Sequence, residues 1–421
     1  MTDFSADLWR DHLLRARWFQ GKGLAVDSVR LRAGAWYVAT GEAWVRSEFA
    51  EVDVGGTLQT YHLLVGYLAP GSGETDALVG QTELTGRGLV DVVDAPRSPT
   101  AMAAFLAALA GAGESSVSWL ETPPDPTWPT TVFAGEQSNT NVRIGDAVVL
   151  KLFRKLSPGP NLETQALMAL GSSGITPRLI GTLSTPDQAY DLGIFCQFIA
   201  DSTDGFDFAV TACREDRPIM AEMEALGSTL RNLHLNLSLA FGPDVADASD
   251  IGAAMVERLD RACDQVTELA DVEAGLRQVL DLEPGPVAVQ RLHGDFHLGQ
   301  TLVSPAGWTV IDFEGEPLKT PAERIAPDAV WRDVAGLLRS LDYACSATDG
   351  QVALKVRRWR DQARAAFLRG YLDGASLPEP LLRAYEIDKA IYEFLYELRN
   401  RPTWVDIPRR AIHEAIAAIQ G

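Results

Sequence analysis

The amino-acid sequence predicts an α+β protein, strand-rich in its first half and mainly helical in its second. Three observations predict it. Short β-branched or alternating runs, separated by glycine-rich turns, fill much of the stretch before residue 70. Residues 131–200 read as strands around one helix. From about Gly205 onward the chain reads as helical, apart from short strands around two polar motifs. With 421 residues, 46% hydrophobic and 22% charged, the chain can form two or three domains and a sizeable core.

The elements follow in order. Residues 6–17 suit a helix, and residues 36–40, 48–54 and 60–66 suit strands of an antiparallel sheet. A helix is expected over 98–112; the apolar run at 101–113 is too short and too alanine-rich to span a bilayer. Residues 121–130 contain Pro123, Pro124, Pro126 and Pro129, which fit neither a helix nor a central strand, so this stretch reads as an ordered connection. Beyond it come a strand over 147–153 bearing Lys151, a helix over 161–170 bearing Glu163, and a strand over 193–199. The expected domains are 1–90, 91–200 and 201–421, and no internal repeat or low-complexity segment is visible.

The formal net charge of -20 argues against nucleic acid or an anionic membrane as the main partner, because phosphate surfaces need a basic face. It suits a neutral or cationic small molecule. Cys196, Cys213, Cys263 and Cys345 form no close pair of metal-binding spacing, which points to a reducing compartment. No basic-then-apolar leader is evident, and the expectation is a cytoplasmic protein, monomeric, without a membrane.

The motifs that carry chemistry lie in the second half. The run His293-Gly-Asp-Phe-His-Leu-Gly-Gln300 offers a carboxylate at Asp295 and an amide at Gln300. A short apolar strand, 308–311, then leads into Asp312-Phe-Glu-Gly315. Phosphoryl transfer from ATP uses such a set: one aspartate takes or orients the acceptor hydroxyl proton, while a side-chain amide and a second aspartate hold metal. Magnesium prefers oxygen ligands, so Gln300 and Asp312 are its candidate ligands. Glutamine where asparagine is usual keeps the oxygen donor on a longer arm.

Lys151 on a β-branched strand, with Glu163 in the next helix, matches a strand lysine that meets the α- and β-phosphates and a helix glutamate that positions it. No glycine-rich G-x-G-x-x-G precedes that strand. The corresponding turn, residues 135–141, includes Ser138 and Asn139, which can cover phosphates or simply close a polar hairpin.

Taken with Arg15-Ala-Arg-Trp-Phe-Gln-Gly21, Leu150-Lys-Leu-Phe-Arg154, Arg332-Asp-Val-Ala-Gly-Leu-Leu-Arg-Ser340 and Tyr396-Glu-Leu-Arg-Asn-Arg-Pro402, these segments give a resemblance over nearly the whole length. The chain resembles the actinobacterial maltokinase-like family, which includes glucosamine kinases, within the aminoglycoside phosphotransferase and eukaryotic-like kinase superfamily. The resemblance implies a two-lobed protein-kinase-like fold with ATP between the lobes and an N-terminal α+β cap. It makes Asp295 the catalytic base, Gln300 and Asp312 the Mg2+ ligands, and Lys151 the phosphate contact, with Glu163 as its partner. Glu314 is a further candidate for the metal or substrate network. Phe296, Thr301 and the acidic stretch 200–208 depart from the maltokinase pattern.

A sugar acceptor needs directional polar groups and flat aromatic surface. Tyr385, Tyr392 and Tyr396 share one helical face; Tyr396, Glu397 and Trp404 are candidate substrate contacts, as are Arg332 and Asp333. For each, a packed helix face or a structural salt bridge is the competing reading. An amino sugar is a cation near neutral pH, and carboxylates favour it. The candidates for that contact are Asp295, Glu397, Asp333, Asp201, Asp204 and Asp207. The reading is an ATP- and Mg2+-dependent sugar kinase. Glucosamine giving glucosamine 6-phosphate stands ahead of maltose giving maltose 1-phosphate. An aminoglycoside phosphotransferase and an ATP-binding pseudokinase follow.

Overall fold

The computed structural model describes residues 6–38, 43–72, 74–111, 116–134, 138–171, 173–316, 319–347 and 353–420. Several expected positions therefore lie outside the described residues: Ala39 and Thr40 of a strand, Ala112 of a helix, residues 135–137 of the proposed phosphate turn, and Pro317. The chain divides into two compact units, Met1–Gly171 with Pro177–Ala200, and Ser172–Thr176 with Asp201–Gly421.

The first unit begins with α1 (Ala6–Arg15), β1 (Val26–Val38), β2 (Trp44–Val54), β3 (Thr57–Leu68), β4 (Leu78–Leu84), β5 (Gly88–Asp94) and α2 (Pro99–Gly111). It continues through β6 (Val117–Trp119), β7 (Thr130–Val132), β8 (Thr140–Ile144), β9 (Val148–Leu152), β10 (Lys155–Leu156), α3 (Leu162–Leu170), β11 (Leu179–Ser184) and β12 (Asp191–Gln197). Two antiparallel sheets result. One has the order β1-β2-β3-β5-β4 with β10 paired to β3; the other has the order β6-β11-β12-β9-β8-β7. In β3, Tyr61, Leu63, Val65 and Tyr67 face a core that includes Trp9, Leu13, Trp18 and Phe19. On the opposite face, a Cβ at Gly66 would lie 2.7 Å from the Ala101 Cβ of α2. Coverage on both faces buries every residue of β3 from Tyr61 to Leu68.

The second unit holds β13 (Thr203–Asp204), α4 (Gly205–Arg214), α5 (Met220–Phe241), β14 (Pro243–Asp247), α6 (Ala248–Cys263), α7 (Thr267–Ala270), α8 (Glu273–Leu280) and β15 (Pro286–Gln290). After them come β16 (Thr301–Ser304), β17 (Gly307–Val310), α9 (Pro321–Ile325), α10 (Trp331–Ser346), α11 (Ala353–Leu372), α12 (Glu379–Asn400) and α13 (Asp406–Gln420). Strands β13-β16-β17 and β14-β15 form two small sheets among these helices. Helix α10 is the central one: twelve of its residues are buried, including Asp333, Arg339 and Ser340. None of the described helices is long and apolar enough to cross a membrane.

Candidate active site

In the second unit, the loop His293–Gln300 joins β15 to β16 and is held by one face of α10. Asp333 accepts hydrogen bonds from the backbone N–H of His293 and of Gly294, both at 3.0 Å. Three residues on, a Cβ at Gly336 would lie 2.4 Å from the Phe296 carbonyl oxygen, so only glycine admits the loop this close. One turn further, the Ser340 hydroxyl accepts from the Leu298 N–H at 3.1 Å. Spacings of three and four residues place all three on one helical face. Asp333 is 1% exposed. Burial pushes its carboxyl up, but bonds from His234 and Gly294 and the nearby imidazoles outweigh that, so its pKa lies below the ordinary value. His234 donates its Nε2–H to Asp333 at 3.1 Å and accepts from the Tyr371 hydroxyl at 2.8 Å.

His293 ties this loop to the second motif. Its Nε2–H donates to the Ile311 carbonyl at 2.9 Å, which leaves Nδ1 to accept the Asp295 N–H at 3.4 Å. The ring packs on Phe313 at 4.8 Å and Phe296 at 5.5 Å between centroids. The Ile311 N–H donates to the Gln300 carbonyl at 3.0 Å, and the Gln300 side-chain amide reaches Asp312 at 3.4 Å. Asp312 adopts φ +64°, a left-handed conformation that non-glycine residues adopt at a cost and that often marks functional positions. The two candidate metal ligands are thus brought side by side, the Gln300 amide donating its N–H to Asp312, and each side chain carries an oxygen ligand atom. That donor chemistry fits magnesium.

Asp295 lies in the wall of a cavity of about 300 Å³ within this unit, together with Glu316, Lys319, Arg332, Lys389 and Tyr392. Lys389, from α12, places its ammonium 2.9 Å from Glu316 and 3.3 Å from Asp295. Arg332 reaches Glu316 at 2.7 Å and Asp328 at 3.1 Å. Burial alone would raise the Glu316 carboxyl, but Lys389 and Arg332 hold it down to about 2. Burial likewise works against the charge of Lys389, yet Asp295 and Glu316 raise its pKa above the ordinary value. Asp388 also lines the cavity and forms a two-point pair with Arg258 at 2.8 and 2.9 Å. Sequence reasoning did not assign Lys389, Glu316 or Asp388 to the site. The helical spacing of Lys389 and Tyr392 was the available signal.

Of the acceptor-side candidates, Arg332 and Asp333 both border the cavity, Asp333 being nearly fully buried beneath the loop it anchors. The structure does not bring Tyr396, Glu397 and Trp404 to the cavity wall. Tyr396 is exposed and stacks on Tyr392. Glu397 is buried, pairing with Arg401 at 2.6 Å and accepting from the Tyr343 hydroxyl at 3.2 Å. Trp404 stacks on Tyr343. In the acidic segment, Asp204 caps α4 by accepting from the N–H groups of Phe206 and Asp207, and Asp201 occupies a turn at φ +52°. Asp201 and Asp207 are exposed.

In the first unit, Lys151 of β9 pairs with Glu163 of α3 at 2.5 Å, both largely buried. The side chain of Asn161 caps α3 at the Glu163 N–H, 2.8 Å away, which fixes the first turn carrying the glutamate. Ser138 and Asn139 lie at the root of the β7–β8 turn, where the Asn139 side-chain oxygen accepts from the Arg154 N–H at 3.2 Å.

Comparison with known proteins bears on the family and the fold. The model of the phosphotransferase enzyme family matches residues 129–386, and that of the maltokinase N-terminal cap domain matches residues 12–97. A glucosamine kinase of Mycolicibacterium smegmatis (strain ATCC 700084 / mc(2)155) is 29% identical over 311 residues, covering 66% of this chain and 77% of the relative. A glucosamine kinase of Streptacidiphilus jiangxiensis is 29% identical over 315 residues, covering 65% and 70%. A solved glucosamine kinase in complex with glucosamine, ADP and inorganic phosphate shares the fold, with a TM-score of 0.68 at 24% identity over 98% of this chain and 99% of that one. With more than half of its length matched by the family model, the chain belongs to the phosphotransferase enzyme family, and a segment similar to the maltokinase cap precedes the matched region.

Proposed function

We propose that this protein is an ATP-dependent glucosamine kinase that forms glucosamine 6-phosphate. The observation that carries the reading is the small cavity with Asp295 in its wall, lined by carboxylates and by the lysines and arginines that pair with them. Its volume of about 300 Å³ lies at the low end for ligand pockets and suits a monosaccharide better than a disaccharide. The ring of Tyr392 offers a flat surface for the sugar's C–H face. In this reading the 2-ammonium group, which lies across the pyranose ring from the 6-hydroxyl, faces Glu316 and Asp388 and shares them with Lys389, Arg332 and Arg258.

In this reading Asp295 accepts the proton of the 6-hydroxyl as that oxygen attacks the γ-phosphorus and ADP leaves. Lys151, oriented by Glu163, meets the α- and β-phosphates. The turn bearing Ser138 and Asn139 covers them. Gln300 and Asp312 are the side chains that would hold magnesium. That ion, when bound, neutralises phosphate charge. The α10 face holds Asp295 through Asp333, Gly336 and Ser340, so that the reacting groups meet without reorganisation. Action in the cytoplasm, as a monomer, accompanies the proposal.

A second reading, maltose giving maltose 1-phosphate, draws on the match to the maltokinase cap. The phosphorus spectrum of the product made from ATP and each sugar separates the two. The proposal expects phosphate on O6 of glucosamine; transfer only to the anomeric oxygen of maltose contradicts it.

A further inference from the structure

Helix α10 presents a second face, and that face is latched to α12. Arg339 is buried and places two nitrogens on one carboxylate oxygen of Glu393, Nε at 2.9 Å and a terminal nitrogen at 2.7 Å. Its other terminal nitrogen donates to Asp342 at 2.6 Å. One turn further along both helices, the Tyr343 hydroxyl donates to Glu397 at 3.2 Å. The two links are one turn apart on α10 and one turn apart on α12, so together they fix the register of one helix on the other. One turn back from Glu393, the same stripe of α12 carries Lys389, which reaches Asp295 and Glu316. One turn back from Arg339, α10 carries Gly336, against which the Phe296 carbonyl packs. Burial works against the Lys389 ammonium, and Glu393 joins Asp295 and Glu316 in outweighing it. The reaction itself uses none of Arg339, Glu393 and Glu397, although the first and last belong to segments that the sequence singles out.

We infer that Glu393, clamped by Arg339, is a positioning residue for the reaction, holding the Lys389 ammonium against Asp295. The inference deepens the proposed kinase reading and rests on Asp295 being the base. A lysine ammonium is a compact charge on a flexible four-carbon stem, so the groups around it decide where it sits. Two of those groups, Asp295 and Glu316, belong to loops. Glu393 lies on the same helix as Lys389, and Arg339 ties it to the helix that anchors the Asp295 loop through Asp333, Gly336 and Ser340. A buried guanidinium holds planar, directional bonds, so this tie is stiff. Helix α10 thus holds the base with one face and, through Glu393, the cation beside the base with the other.

A double-mutant cycle on turnover tests this. Glu393→Gln removes the charge but keeps the shape and an oxygen for Arg339. Its kcat should fall at least about threefold, with the KM for ATP within about twofold of wild type. In the Lys389→Met background the same change should alter kcat by less than about twofold, because the group it acts through is gone. A purely structural role would lower kcat by the same factor in both backgrounds. The paired change Arg339→Met with Glu393→Leu removes both charges, so no buried ion is stranded, and Asp342 keeps Arg360 at 3.6 Å. It should lower kcat at least as much as Glu393→Gln does. Equal losses in the two backgrounds overturn the inference, as does wild-type kcat in Glu393→Gln. If Glu393→Gln does not fold, wild-type kcat in the paired variant overturns it. Asp295→Asn is the control. If that variant keeps its turnover, the kinase reading of Asp295 has failed; if its turnover collapses while the cycle is additive, only the role of Glu393 has.

Discussion

Lys389 holds its ammonium 3.3 Å from the Asp295 carboxylate while also pairing with Glu316 at 2.9 Å. One cation from α12 therefore joins the proposed base to a second carboxylate in the cavity wall. Removing it as Lys389→Met leaves two neighbouring carboxylates without their shared counter-ion. The expected loss is about 2 kcal/mol of stability, less than for a fully buried pair because the groups border a cavity. The turnover number should fall at least tenfold as Asp295 loses its orientation. Urea unfolding and steady-state rates measure both; unchanged values in each would remove Lys389 from the site.

The Glu316 carboxyl supplies the pH dependence. Its folded pKa is depressed to about 2 from an ordinary 4.5. Its contribution is therefore complete above about pH 4.5 and is lost as pH falls through about 2. The stability difference between wild type and Glu316→Gln should be widest at neutral pH and shrink across that interval. A difference that is constant down to pH 3, or that grows, contradicts the pairing.

Asp295→Asn preserves shape and removes the carboxylate. The turnover number should fall by about two to four orders of magnitude while ATP binding persists. A variant with near-wild-type turnover takes Asp295 out of the mechanism.

Asp312→Asn takes a charged oxygen away from the proposed magnesium site. The magnesium concentration needed for half-maximal rate should rise and turnover should nearly vanish, whereas Gln300→Asn, which retains the amide oxygen, should be milder. Magnesium titrations decide the point. An unchanged magnesium dependence in Asp312→Asn means the turn at Asp312 does not hold the metal.

The two signature motifs were legible because each is a local run whose chemistry survives without knowledge of the fold. The Lys151–Glu163 pair was legible for a related reason: a strand and the next helix bring them together at 2.5 Å. Lys389 and Glu316 were not assigned to the site, because 73 residues separate them and no local pattern joins them. Periodicity placed Tyr385, Tyr392 and Tyr396 on one face but not the surface that face meets. Tyr385 and Tyr392 both line the cavity, Tyr385 also bonding Asp328, while Tyr396 is exposed. Asp333 stood open between a sugar contact and a structural salt bridge, and the structure makes it the anchor of the His293–Gly294 backbone. In the fold, the first expected strand begins at Val26, ten residues before residue 36, and β4 and β5 were missed. Their residues lie among glycine-rich turns; pairing with β3 settles β5, and pairing with β5 settles β4.

The acceptor preference tests the central claim most directly. The measurement is kcat/KM for glucosamine, N-acetylglucosamine, glucose and maltose with saturating ATP and magnesium. N-acetylation removes the ammonium and its attraction to the cavity carboxylates, and adds bulk that a cavity of about 300 Å³ must hold. The account predicts that glucosamine exceeds each of the other three at least tenfold, about 1.4 kcal/mol of transition-state preference. Maltose exceeding glucosamine by the same factor would contradict it.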